Sequence, residues 1–523
     1  MQSETKPSRT RRGSRGRKGN KRANATGLQQ IAWQVPKNTD TPIAPLPPEG
    51  VAAIHHTAMR ILEEVGVEFL NLEAVDTLRQ AGCTILNETR DGALVKMDRA
   101  FVMDKIAHAP AKFLITPRNL DRPIIIGGQN MVFGSIASPP NCSDLDRGRR
   151  PGDRQSHRDL VKLSQFFNCI HFIGGYPVEP VDSHASVRHL DCLHDQLTLS
   201  DKVVHAYSLG AGRVDDVIEM VRIAGGLTEQ QFAQTPRMFT NINSTSPLKH
   251  DFPMLDGLMR LSRCGQPTIV TPFTLAGAMS PITLAGTVAQ SIAEALCAIV
   301  LIQIINPGCP CAIGTFSSNV DMKTGAPAFG TPEYMRATQM TGQMARFYRL
   351  PLRASNTCAS NAPDNQATWE SSSSLSAALT SGTHMVYHAA GWLEGGLCAS
   401  YEKLVMDCEQ VQQMIKYMQP VTYGESELAF DAIVEVGQGG HFFGTQHTQD
   451  RYETAFYSPF LSDWSNFENW EDRGSVLTVE RAHRIWKQIL KDFEAPAMDI
   501  AIREELDAFV ARRKSEGGVA TDF

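Results

Sequence analysis

From about residue 130 onward the chain repeats one pattern. A short apolar or β-branched run gives way to small or turn residues, and a longer amphipathic stretch follows. Eight such runs can be marked: MVFGSIAS (131–138), CIHFIGGYPV (169–178), VVHAYSLG (203–210), MFTNINS (238–244), TIVTPFTLA (268–276), CAIGTFSS (311–318), LPLRASN (350–356) and THMVYHAAG (383–391). Helical spans are predicted to begin near Arg154, Ser186, Val214, Asp251, Leu284, Thr331, Pro363 and Tyr401. Eight strand–helix units in succession predict an α/β fold of the (β/α)8 TIM barrel kind. A doubly wound open sheet alternates in the same way, but no GxGxxG or P-loop follows the first strand. Nearly every run also ends in a polar, aromatic or glycine cluster, which suits the C-terminal face of a barrel.

The barrel is thus assigned to residues 126–420. Ahead of it, IHHTAMRILEEVGVEF and NLEAVDTLRQAGCTI predict a helical N-terminal extension over residues 49–125. Residues 1–48, basic and then Pro-rich (TPIAPLPPEG), predict a disordered arm. After the barrel, residues 421–523 begin with a stretch rich in aromatics, glycine and turn residues, expected as a cap or interface segment. Two amphipathic helices, ERAHRIWKQILKDFEAP and DIAIREELDAFVARRK, are expected to follow.

Composition adds bounds. A chain of 523 residues with 42% hydrophobic and 20% charged residues can bury a large core. The most apolar run, Ile292 to Ile305, contains Glu294 and Gln303 and reads as a buried helix, so no membrane contact is expected. The net charge of -6 hides an asymmetry: residues 1–22 carry nine Lys/Arg against one Glu, about +8, and leave about -14 on the rest. Such an arm is read as solvated, with no nucleic-acid partner. No apolar segment follows Arg11-Arg12, and the expectation is a cytoplasmic protein. Eleven scattered cysteines read as reduced and structural, and Cys309-Pro310-Cys311 is too tightly spaced for a zinc hairpin.

No GxSxG elbow, HExxH helix or kinase motif set occurs. His384 and His388 share a face of a strand but lie about 13 Å apart, too far for joint ligation, so no tightly bound metal is expected. His441 and His447 read as polar anchors of a Gly-rich loop, and Glu425/Glu427 and Glu471/Asp472 as solvated faces. The informative set lies at strand ends. Tyr176, Tyr207, Phe273, Phe316 and Trp392 supply rings and Glu394 a carboxylate, with Asn243, Asn356 and His388 beside them. Rings plus charge in a dry pocket hold a methylated ammonium group, which cannot donate hydrogen bonds. The bland alternative is that several of these rings are barrel core.

Five longer stretches, TPFTLAGAMSPITLAG (271–286), VDMKTGAPAFGTPEYMRA (320–337), RASNTCASNAPDNQATWES (353–371), HAAGWLEGGLCASYEKLVMD (388–407) and GQGGHFFGTQHT (437–448), together resemble the trimethylamine methyltransferase family, with likeness from about residue 50 to 495. The resemblance implies a TIM barrel that passes a methyl group from a methylated amine to cob(I)alamin, the corrinoid cofactor carried by a separate partner protein. Members that use trimethylamine carry pyrrolysine in the segment matching Ser355 to Thr357, where this chain has ordinary residues. The resemblance therefore implies a quaternary amine such as glycine betaine, which departs as a neutral tertiary amine and needs no general base. The head is assigned to Tyr176, Tyr207, Phe273, Phe316, Trp392 and Glu394. The carboxylate tail is assigned to Asn356, His388 and Arg353, although Arg353 is alternatively placed down the barrel against a core acid. Trimethylamine or another methylamine as donor, and a barrel that binds betaine without turnover, stand as alternatives. A zinc-dependent thiol methyltransferase would need a His/Cys cluster that cannot be assembled. Large barrels with long terminal arms often assemble, so a homo-oligomer is expected.

Overall fold

The computed structural model describes residues 28–521, so the basic segment 1–22 lies outside the described residues. Eight short parallel strands form the centre: β1 (Val132–Ser135), β2 (Phe172–Ile173), β3 (Val203–Val204), β4 (Thr240–Ile242), β5 (Thr268–Val270), β6 (Cys311–Gly314), β7 (Leu352–Ser355) and β8 (Met385–Ala390). Hydrogen bonding places them in the order β3-β2-β1-β8-β7-β6-β5-β4. A parallel bridge between His205 and Phe239 joins the two ends, and the Ala206 N–H donates to the Phe239 carbonyl at 2.9 Å. The sheet is therefore a closed barrel with its strands in sequence order, and each of the eight predicted runs contains one of the barrel strands.

Helices alternate with the strands: α1 (Arg154–Phe166), α2 (Arg188–Leu199), α3 (Ala211–Ala224), α4 (Phe252–Arg263), α5 (Leu284–Ile305), α6 (Pro332–Tyr348), α7 (Asn365–Thr380) and α8 (Tyr401–Tyr417). Five of these starts are fixed by a side-chain cap, from Asp153, Asp251, Thr331, Asp364 and Ser400. Helix α5 is long and apolar enough to cross a membrane, yet 89% of its 18-residue window is buried inside the protein. Its buried carboxylate, Glu294, is satisfied by the hydroxyls of Ser244 and Ser246, the Leu248 N–H and the Gln290 amide.

The N-terminal extension adds strands to the helices expected there. Between helices Pro48–Arg60, Leu72–Gln80 and Arg99–Ile106 run strands Val67–Phe69, Thr84–Leu86 and Ala93–Lys96, which form a sheet with Lys249–His250. Their alternation is short: Val67 and Phe69 are buried and Glu68 faces out, so a three-residue strand is hidden inside a helix-like run. Residues 28–48 do not form a disordered arm. Trp33 and Val35 pack beneath the barrel with Phe113, Ile115, Ile124 and Ile126 against residues of several strands, including Val132, Ile269 and Met385. The proline-rich sequence suits an extended strap whose backbone bonds to the barrel instead of to itself, as when the Ile43 N–H donates to the Thr380 carbonyl.

The strap and the Lys112–Ile115/Ile124–Gly127 hairpin close the start of the strands, leaving the C-terminal ends as the open face. Both amphipathic helices expected near the C-terminus are present: α9 (Thr478–Lys491) buries Trp486 and Ile489 in the core beneath α8, and α10 (Ile500–Ser515) buries Leu506 and Phe509 beside α2 and α3.

Candidate active site

At the C-terminal ends of the strands the rings meet in a continuous series. Tyr176 and Tyr207 contact edge-on with centroids 4.5 Å apart, Tyr207 lies 4.8 Å from His205, and His205 lies 5.9 Å from Tyr387. Tyr387 leads to His388 at 5.4 Å, His388 to Trp392 at 4.3 Å, Trp392 to Phe316 at 5.9 Å and Phe316 to Phe273 at 5.1 Å. Tyr176, Tyr207, Phe273 and Phe316 are only partly buried, as expected for a rim. The five predicted rings are thus joined in one wall, which also includes Phe329, 5.5 Å from Phe316.

Backbone geometry sets this wall. Glycine is required at 175: its φ is +136°, and a Cβ there would stand 2.5 Å from the Tyr207 hydroxyl. Tyr207 is further held by Ser138 Oγ and by the Tyr176 N–H, which donates to its hydroxyl at 3.2 Å. In β8 the register against β1 shifts: Val386 faces Phe133 and Ala390 faces Ser135. His388 takes φ +52° within this bulge, which aims both Tyr387 and His388 at the barrel's interior face. Trp392 is pinned by its indole N–H, which donates to the Cys358 carbonyl at 3.1 Å.

Below the rings sits Arg353, 3% exposed. Its guanidinium lies 4.5 Å from the Tyr387 ring centre and 5.4 Å from that of Phe316, and Nη1 donates to the Thr315 carbonyl at 3.3 Å. Its Nε is buried without a partner, as are the Tyr387 hydroxyl, the Thr315 hydroxyl, Asn356 Oδ1 and His205 Nδ1. The core acid considered for Arg353 does not exist: among the described residues no carboxylate pairs with it. Burial lowers its pKa to about 10, partly offset by Tyr387 and Tyr334. The same cation helps keep its neighbours neutral. Burial first and Arg353 second lower His205 to about 3 and hold His388 well below its ordinary value.

Asn356 is committed to the scaffold. Its Nδ2 donates to the Ala389 carbonyl and its backbone N–H to the Tyr387 carbonyl, each at 3.0 Å, leaving only Oδ1 free. His388 Nδ1 lies 3.2 Å from Ser355 Oγ. Asn243 is likewise occupied, its amide donating to the Thr271 carbonyl at 2.9 Å and accepting from Asn241. Glu394 stands apart from the assigned role. Arg149, on the Asn141–Asp144/Gly148–Pro151 hairpin, donates its Nε to both carboxylate oxygens at 2.9 Å, so Glu394 is already neutralised by a structural partner. Sequence reasoning missed Tyr387, His205, Phe329 and Arg149. Tyr387 and His205 could have been found from their places inside two marked strand runs, but Arg149 carries no local signal.

Residues 11–518 match the family described as Trimethylamine methyltransferase (MTTB). The chain belongs to the trimethylamine methyltransferase family. A glycine betaine methyltransferase of Desulfitobacterium hafniense is 37% identical over 90% of this chain and 96% of its own length. The trimethylamine methyltransferase MttB of the same species is 28% identical over 90% of this chain and 94% of its own. Among solved structures, the monomethylamine methyltransferase of Methanosarcina barkeri aligns over 91% of this chain and 92% of its own, with 11% identity and a TM-score of 0.49. Membership of the family makes the chain a methyltransferase.

Proposed function

We propose that the chain moves a methyl group from a carboxylated quaternary amine, of which glycine betaine is the simplest, to a corrinoid carried by a partner protein in the cytoplasm. One observation carries the choice of donor: a buried guanidinium with no counter-charge lies beneath a wall of rings. A bare cation such as choline would meet Arg353 as a like charge, at a cost of about 3 kcal/mol at 6 Å and an effective dielectric near 20. A zwitterion reverses the sign. Its carboxylate takes the free edge of Arg353, and its methyl groups reach the faces of Phe316, Trp392 and Tyr207. Trimethylamine, with no carboxylate, gains nothing from that cation. The Ser355–Thr357 segment is fully buried and offers no electrophile to capture it.

Among the described residues no thiolate stands ready to accept the methyl group at the mouth. Cys358, the thiol that borders it, is sealed, donates to the Trp392 carbonyl at 2.9 Å, and has its pKa pushed up to about 12. We assign the acceptor to an external nucleophile, and the partly exposed rim of Tyr176, Tyr207, Phe273 and Phe316 is the surface it would meet. A reduced corrinoid supplies that nucleophile at its cobalt. The remaining work falls to this chain's residues: Arg353 fixes the tail, the rings hold and desolvate the head, and one methyl is left facing the open end. The departing amine leaves neutral, so no side chain has to move a proton.

The test is to incubate the protein with reduced free cobalamin and, in parallel, glycine betaine, choline and trimethylamine, reading methylation from the visible spectrum. Methylation with glycine betaine alone is the expected result. Equal rates with choline, or no reaction with any of the three while glycine betaine binds, would overturn the assignment.

A further inference from the structure

Lys403 and Asp407 are each only 1% exposed, and neither touches the ring wall or Arg353. They stand one turn apart on α8 and form an ion pair. Such a pair gives up the hydration of two ions, and well-packed apolar side chains of similar volume often serve stability as well or better. The remaining contacts of this pair lead to the active site.

Asp407 Oδ1 is taken by Lys403, whose Nζ also donates to Ser371 Oγ of α7 at 2.7 Å. The other oxygen, Oδ2, accepts from the Gly391 N–H at 2.8 Å. Gly391 is the joint of the site. Before it lies the β8 bulge with Tyr387 and His388, and directly after it comes Trp392, whose ring centre stands 4.3 Å from that of His388.

The backbone at this joint is unusual. His388 has φ +52° and Gly391 φ +100°, so two residues in the left-handed region stand three apart. Backbone of this kind persists only where its surroundings hold it. On the strand side the Ile136 N–H donates to the Ala390 carbonyl at 3.1 Å, and on the far side the Ser400 N–H donates to the Gly391 carbonyl at 3.0 Å. Between those two bonds the peptide is fixed by Asp407, and a carboxylate acceptor makes that bond charge-assisted and directional. Lys403 keeps the carboxylate turned the right way.

We propose, resting on the reading of the ring wall as the methylammonium site, that Asp407 is a positioning residue for the methyl transfer: through the Gly391 N–H it sets where Trp392 stands relative to His388 and Arg353. The head and the tail of one substrate then fit the rings and the guanidinium at once.

Steady-state kinetics in the cobalamin assay test this, with urea denaturation of each variant alongside. Variants are compared with the wild type on whichever of glycine betaine, choline and trimethylamine the wild type turns over. A wrong donor then shows in the wild type alone, and a wrong role for Asp407 shows only in the variants. Lys403→Met with Asp407→Asn removes both charges and keeps an acceptor, and its KM is expected within about threefold of the wild type. Lys403→Met with Asp407→Leu removes the acceptor as well. It is expected to raise KM at least about tenfold while kcat changes less than about threefold, at a urea midpoint close to that of the asparagine variant. A pair that served stability alone would move the midpoint and leave the KM of the folded protein unchanged. If the leucine variant does not fold, Lys403→Met with Asp407→Ala repeats the measurement with less bulk. A native KM in either variant that lacks the acceptor, an equal loss in the asparagine variant, or failure of both to fold while the asparagine variant folds would each overturn the proposal. A wild type that turns over none of the three amines would overturn it together with the reading of the ring wall.

Discussion

Arg353 is the residue on which the proposed site turns, because burying a cation without a counter-ion is costly and a substrate carboxylate would offset that cost. Its role was legible only in part. Its place at a strand end and the family likeness marked it, but sequence could not tell whether a core acid neutralised it. The same limit hid the opposite fact about Glu394, which reads as a free carboxylate until Arg149, from a distant hairpin, is seen bound to it. The electrostatics predict an unusual pH profile. His205 and His388 are both held below 6.5 and stay neutral above it, while Arg353 keeps its proton until about 10. The kcat/KM for glycine betaine should therefore be flat from about pH 6.5 to about 9 and fall as pH approaches 10, where the carboxylate's partner loses its charge. A bell centred near neutrality, measured in the cobalamin assay, would reveal a proton-transferring group that this account lacks.

At the scale of elements, the strands were readable because all but β7, which is Leu-Arg-Ala-Ser, carry β-branched or aromatic residues followed by a small or polar cluster, and the long helices because their caps and periodicity are strong. The three-residue strands of the extension were not, since Val67–Phe69 follows directly on a helical run. Nor was the β8 bulge, which depends on pairing with β1 and not on local propensity. The hairpin that carries Arg149 also had no signal, and its function now has a test. Because Arg149 already pairs with Glu394 and ties hairpin to loop, Glu394→Gln should leave the KM for glycine betaine within about threefold and cost less than about 1 kcal/mol in urea denaturation. Trp392→Ala, which removes a ring from the wall, should raise that KM by at least about tenfold. A large KM effect from Glu394→Gln would return the carboxylate to the role first assigned to it.

For the whole molecule, the strap, the hairpin and the barrel share one interior in which several histidines are buried and neutral. His205 is lowered to about 3 and His171 to about 4, each by burial first, and His157, His250, His384 and His388 are lowered as well. The unfolded chain takes up protons on these groups near pH 6.5 and the folded chain does not, so stability rises with pH across the window from about 3 to 6.5. His205 costs about 1.4 kcal/mol per pH unit from 6.5 down to about 3 and His171 the same down to about 4, and the others act in the same direction. The urea midpoint should drop steeply between pH 6.5 and 5, and His205→Gln should lessen the slope by one proton's worth. No slope would mean that these rings are hydrated in solution.

The most direct test of the central claim needs no corrinoid at all. Calorimetry of glycine betaine and choline binding to the wild type and to Arg353→Met isolates the guanidinium's contribution. The account predicts that the wild type prefers glycine betaine by about a hundredfold, and that Arg353→Met loses this preference mainly by weakening glycine betaine while choline binds no worse. A preference that survives the substitution, or choline bound as tightly as glycine betaine by the wild type, would contradict it.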